Sequence, residues 1–158
     1  NTLTINDARH LVNSFAPITH TYESSVKKGA EIDLTSTFKD QIEKVTRTVV
    51  LDKKDFLHVT DVIRTTENEA EVVWVTPTQP EIVGNNLIKL EKDGKQMLLE
   101  VNADQKVEMQ IWSNTPPHAY DHPNPDTVRV GFKVMLPASK TSRLHVVLKP
   151  LKKQSSKK

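Results

Sequence analysis

A chain of 158 residues with 36% hydrophobic content is long enough for one domain with a core and too short for two ordinary ones, and none of its apolar runs approaches bilayer-spanning length. The formal charge of +2 comes from 22 basic and 20 acidic residues, and the excess is gathered at the C-terminus: without residues 149–158, which hold five Lys and no acid, 17 basic residues stand against 20 acidic, so no basic face for nucleic acid is expected. The absence of cysteine excludes disulfides, thiolate metal sites and thiol nucleophiles, and four glycines leave little room for phosphate-cradling loops.

The opening Asn1-Thr2-Leu3-Thr4-Ile5-Asn6-Asp7 has no basic n-region and no apolar h-region, so it does not read as a signal peptide. It lacks Met, and the expectation is a processed chain or a piece of a longer one. Weak strand patterns follow at Ile18 to Glu23 and Ala30 to Leu34, with one helical turn expected within Thr35 to Gln41. Val45 to Leu51 and Phe56 to Ile63 flank Asp52-Lys53-Lys54-Asp55 and read as a hairpin. Val72 to Val75 is a short run that Thr76-Pro77 should end, and Ile82-Val83 follows after Pro80.

The clearest hairpin joins Leu87–Glu91 to Gln96–Val101 through Lys92-Asp93-Gly94-Lys95, because Asp-Gly supplies the positive φ angles of a tight primed turn. Val107, Met109 and Ile111 alternate with Glu108 and Gln110. Val128, Val130, Phe132, Val134 and Leu136 alternate with Arg129, Gly131, Lys133 and Met135, and Leu144, Val146 and Leu148 with His145, Val147 and Lys149. A period of two fits strands with one buried face. Ser113 to Asp126 is a long loop, since four prolines preclude regular pairing there. No apolar stripe of helical period persists over three turns.

These patterns predict an all-β fold: an antiparallel β-sandwich of stacked sheets with about ten to twelve strands and little helix. The two Trp and four Phe are expected in core and inter-sheet positions. The single domain is expected over residues 1–150, with a basic, solvated tail over 151–158.

The Ser113–Asp126 loop holds the local candidates for a site. His118 and His122 stand four apart with Tyr120, Asp121 and Asp126 nearby, a ligand set that zinc accepts. Such a pair converges reliably only on a helix, which Pro123 and Pro125 oppose, so no metal is assigned. The structural alternative is a rigid turn whose Asp and Asn side chains satisfy local backbone groups. An exposed His118 and Tyr120 could also contact a carbohydrate. His20 and Tyr22 share one strand face and suit proton abstraction and return, but equally read as ordinary strand residues. His58 and Asp61 fall on opposite faces, and His10 and His145 read as isolated. Arg47 and Arg129 are expected to pair with acids on neighbouring strands, or in the case of a sheet-face guanidinium to hold a uronate carboxylate. There is no nucleophile elbow, P-loop, dinucleotide turn or HExxH motif, and no catalytic residue is assigned.

Read in order, the phrases Asn1-Thr2-Leu3-Thr4-Ile5-Asn6, Asp33-Leu34-Thr35-Ser36-Thr37-Phe38, Val45 to Leu51, Phe56 to Ile63, Val73-Trp74-Val75-Thr76-Pro77, Tyr120 to Thr127 and Val146-Val147-Leu148-Lys149-Pro150 form a series. It resembles the C-terminal β-sheet domain of heparinase II/III-like polysaccharide lyases, from Asn1 to about Pro150. The resemblance implies an N-terminal α/α-toroid in the same parent chain and cleavage of uronic-acid-containing, acidic polysaccharides by β-elimination. It implies a periplasmic or extracellular parent, with no nucleic-acid or membrane partner.

In that family the toroid supplies an Asn and a Tyr, and the key His precedes the phrase that opens this chain, so none of these roles transfers to a residue here. No cofactor is expected in this piece, while the resemblance allows a divalent metal such as zinc in the full-length parent. The expectation is therefore a fragment, inactive on its own, of a polysaccharide-lyase-like parent. The alternative is a stand-alone carbohydrate-binding or structural β-sandwich module. A support domain should expose an apolar patch where its partner packs, and a binding module a row of aromatics.

Overall fold

The architecture follows from period-two patterning in almost every segment. The computed structural model describes residues 2–116 and 118–151, and among these it holds eleven strands: β1 (Thr2–Ile5), β2 (Ile18–Glu23), β3 (Lys27–Asp33), β4 (Lys44–Asp52), β5 (Leu57–Arg64), β6 (Ala70–Gly84), β7 (Leu87–Lys92), β8 (Lys95–Ala103), β9 (Val107–Trp112), β10 (Val128–Leu136) and β11 (Thr141–Leu151). One 3₁₀ turn, Thr35–Phe38, lies where a helical turn was expected. The fold is all-β. The Lys-rich tail expected from residue 151 lies outside the described residues except for Leu151, which ends β11; Asn1 lies outside them as well.

All pairings are antiparallel, in the order β2-β3-β4-β5-β11-β8-β7-β6-β10-β9, with β1 added alongside β6. The smaller sheet is formed by β1, the first part of β6, β10 and β9, and the larger by β2, β3, β4, β5, β11, β8, β7 and the end of β6, so the long strand β6 serves both. Residues Ala70 to Thr78 pair with β10, and Gln79 to Gly84 pair with β7. The sequence reading expected a break at Thr76-Pro77 and a separate short run after Pro80, and the structure corrects it. Pro77 falls between the last residue paired with β1, Val75, and the first paired with β7, Gln79. Pro80 lies beyond Thr78, the last residue paired with β10. A missing N–H costs nothing where one edge of the strand has no ladder partner.

The inward residues of both sheets meet in one core. From the smaller sheet come Leu3, Ile5, Val72, Trp74, Val130, Phe132, Val134 and Leu136; from the larger come Val45, Val59, Ile63, Ile88, Leu90, Leu99, Val101, Leu144 and Val146. Trp74 and Phe132 are cross-strand partners whose rings stack 6.0 Å apart. Each such side chain contributes roughly 1.5–3 kcal/mol by leaving water. The β10 alternation is as expected, whereas Ile111, at the end of edge strand β9, is exposed. The Asp93-Gly94 turn closes the β7–β8 hairpin with φ angles of 53° and 68°.

Candidate functional site

Arg47 stands directly opposite Asp61 in the β4–β5 register. Because Val45, Arg47 and Val49 alternate inward against Val59, Asp61 and Ile63, the pair lies on the inner face of the larger sheet. Nε and Nη2 of Arg47 donate to the two carboxylate oxygens at 2.6 and 2.8 Å. Asp61 is 1% exposed. Burial pushes its carboxyl up, against the opposing pull of the Arg47 hydrogen bonds and charge. The expected ion pairing of Arg47 is thus realised with an acid of the next strand.

The Ser113–Asp126 loop separates its candidates. His118 and Tyr120 stack at 5.0 Å, with Tyr120 83% exposed. His122 instead lines a hollow of about 400 Å³ with Asn114, Thr115, Asp121, Asn124 and Arg129. The loop is tied internally: Asn114 Nδ2 donates to Thr127 Oγ1 (2.8 Å), Thr127 Oγ1 to the Asn124 carbonyl (2.8 Å), and Gln79 Nε2 to the Asp126 carbonyl (3.0 Å). Among the described residues no three His, Asp or Glu side chains are grouped as a metal set.

His20 and Tyr22 do share a face, ring edge to ring at 4.7 Å, and the Lys27 ammonium sits 4.3 Å from the Tyr22 ring centre. The reading of His10 and His145 as isolated is corrected. His10 meets Phe38 edge-on at 6.3 Å. His145 on β11 lies diagonal to His58 on β5, on the outer face of the larger sheet, with Nδ1 of His58 3.2 Å from Nε2 of His145. Asp52 Oδ2 lies 3.3 Å from the other nitrogen of His58. On the same face Lys149 is hydrogen-bonded to Glu100, which that ammonium holds below the usual carboxylate range. Partial burial, then the charges of Arg143 and His58, lower His145. Two imidazoles in contact can share only one proton between the facing nitrogens.

The smaller sheet carries a groove of about 330 Å³ that the sequence reading missed, lined by Thr4, Asp7, Glu71, Val73, Val75, Trp112, Arg129 and Lys133. Its outward row on β10 is Arg129, Gly131, Lys133, with Trp112 the cross-strand partner of Arg129. Arg129 was expected to meet an acid; its Nε donates to the Ser113 carbonyl at 3.0 Å. Trp112 was expected in the core and is half-buried at the groove. The legible signal was a glycine between two cations on an outward face.

A fourth feature is apolar. The segment joining β1 to β2 is pinned by Leu11 N to the Thr37 carbonyl (3.0 Å), Gln41 Nε2 to the Arg9 carbonyl (3.0 Å) and Ser36 Oγ to the Phe15 carbonyl. Held this way, it still turns Leu11, Val12 (91% exposed), Phe15 (75%) and Ile18 to the outside. Phe15 therefore departs from its expected core position. Beside them a hollow of about 670 Å³ opens between this segment and the 3₁₀ turn.

No protein-family model matches the chain, and no curated protein matches it in sequence. Solved structures do. A heparinase III aligns with a TM-score of 0.72 at 13% identity over 96% of this chain and 23% of its own. The heparan sulfate lyase HepC from Pedobacter heparinus aligns at 0.78 and 12%, covering 98% and 24%. A further heparinase III gives 0.70 and 14%, covering 99% and 24%. At these identities the likeness is one of fold, and the chain spans about a quarter of the length of the structures it matches. The fold implied by the sequence resemblance is the fold the chain has.

Proposed function

We propose that this chain is the C-terminal β-sandwich domain of a larger, exported heparinase-like polysaccharide lyase, and that it supports the catalytic α/α-toroid without carrying a complete active site. The observation that carries this reading is the pinned segment with Leu11, Val12, Phe15 and Ile18 turned outward. Hydrogen bonds have already fixed its shape, so little ordering is left for a partner to impose. Burying each of these side chains is worth about 1.5–3 kcal/mol. The match of almost the whole chain to a quarter of each heparinase supports the same reading. The parent would cleave an acidic, uronate-containing polysaccharide by β-elimination, with its acid–base groups and any divalent metal outside this piece. Arg47 is committed to Asp61, while His118 and Tyr120 remain candidates for a rim contact with the polymer.

The test places Val12→Asp and Phe15→Asp together in the longer natural chain and, separately, in this one. Expected are lower lyase activity and a lower melting temperature in the longer chain, and an unchanged melting temperature here. An unaltered longer chain would remove the docking role.

A further inference from the structure

We propose that the groove walled by Trp112, Arg129 and Lys133 on the outer face of the smaller sheet binds a neutral pyranose unit of a glycan. The inference is independent of the lyase reading, since it rests on the groove alone.

The shape comes from β10. Arg129 and Lys133 point outward from either side of Gly131, roughly 13 Å apart along the strand. Gly131 carries no side chain, and a Cβ added there would lie 1.8 Å from the Trp74 carbonyl oxygen, so a substitution forces the backbone to shift. The space between the two cations therefore stays open, with Val73 and Val75 of β6 along its side. At about 330 Å³ the groove sits at the small end of ligand sites, which run from about 300 to 1,000 Å³.

The chemistry comes from groups left uncommitted. The only hydrogen bond of Arg129 among the described residues uses Nε, so both terminal nitrogens remain as donors. The Trp112 indole N–H and the Asp7 carboxylate have no hydrogen-bond partner among the described residues. Glu71 and Lys133 are joined only at 3.4 Å. A hydroxyl is both donor and acceptor, so a sugar ring can use carboxylates and guanidinium together, while its C–H face suits the apolar body of an indole. The choice of a neutral ring follows from charge. Asp7 and Glu71 balance Arg129 and Lys133, so a polyanion gains no net attraction and must face two carboxylates.

The experiment titrates this chain with cellotetraose, chitotetraose and a uronate-containing tetrasaccharide, followed by backbone amide NMR shifts and by calorimetry at low and high salt. Expected is saturable binding of at least one neutral tetrasaccharide that salt does not weaken, with shifts centred on Trp112, Arg129 and Asp7. Arg129→Gln, Asp7→Asn and Trp112→Phe, each with an unchanged melting temperature, should weaken it about tenfold or more. The proposal is overturned by three results: no neutral binding, binding of the uronate alone with affinity that collapses in salt, or neutral binding that all three variants leave intact.

Discussion

Arg47 and Asp61 face each other across β4 and β5 on the inner side of the larger sheet, joined by two hydrogen bonds of 2.6 and 2.8 Å where water barely reaches. An ion pair so placed has lost hydration on both partners, and the fork geometry of guanidinium on carboxylate recovers much of that loss. Removing Asp61 takes away the carboxylate that neutralises the largely buried Arg47 guanidinium. Asp61→Ala is therefore expected to destabilise the chain by about 3–5 kcal/mol, whereas Arg47→Met with Asp61→Leu should cost much less or nothing. Urea denaturation of the three proteins measures this; equal losses in single and double variants would contradict it.

Gly131 supports both the core and the groove. Its Gly131→Ala variant drives a Cβ into the Trp74 carbonyl and is expected to cost about 3 kcal/mol, or about 6–12 °C in melting temperature for a domain of this size. Gly84→Ala is the control. There the nearest atom to an added Cβ is Leu87 Cβ at 3.5 Å, an ordinary contact, and the expected change is near zero or slightly stabilising.

Stability should fall in two acid stages. The folded state holds His145 below its ordinary value of 6.5, so between the two values the unfolded chain binds more protons. Stability is then complete above about pH 6.5 and is lost as pH drops below it. His145→Gln should flatten that stage. The carboxyls of Asp33, Asp52 and Glu100 are held below their usual range, chiefly by the Thr35 side chain, the Phe56 N–H and Lys149 respectively. Their contribution persists until pH falls below about 4. Urea midpoints taken from about pH 8 down to pH 3 separate the stages; a profile flat through the first stage would contradict the role given to His145.

Local chemistry was legible wherever it decides local structure. Asp93-Gly94 specifies its turn through positive φ, and the β10 alternation specifies its buried face. The Arg47–Asp61 pair lies one residue beyond such reading: equal counting outward from Asp52–Asp55 sets Arg47 opposite Thr60, and the left-handed Asp55 (φ 61°) adds the residue that brings it opposite Asp61. Contacts fixed by distant pairing were not legible. His58 and His145 meet only because β5 lies beside β11, 87 residues on. Trp112 and Arg129 become partners across a loop whose prolines conceal its register. The prolines of β6 misled because a proline forbids pairing on one edge of a strand, and the sequence does not say which edge is empty.

The most direct measurement is a lyase assay of the longer parent proposed for this chain beside the 158-residue chain itself, on heparan sulfate and alginate, following the absorbance of the unsaturated product. Product from the longer chain and none from this one is the expected result. Product from this chain alone would contradict the central claim, and so would a longer chain inert on every uronate polymer.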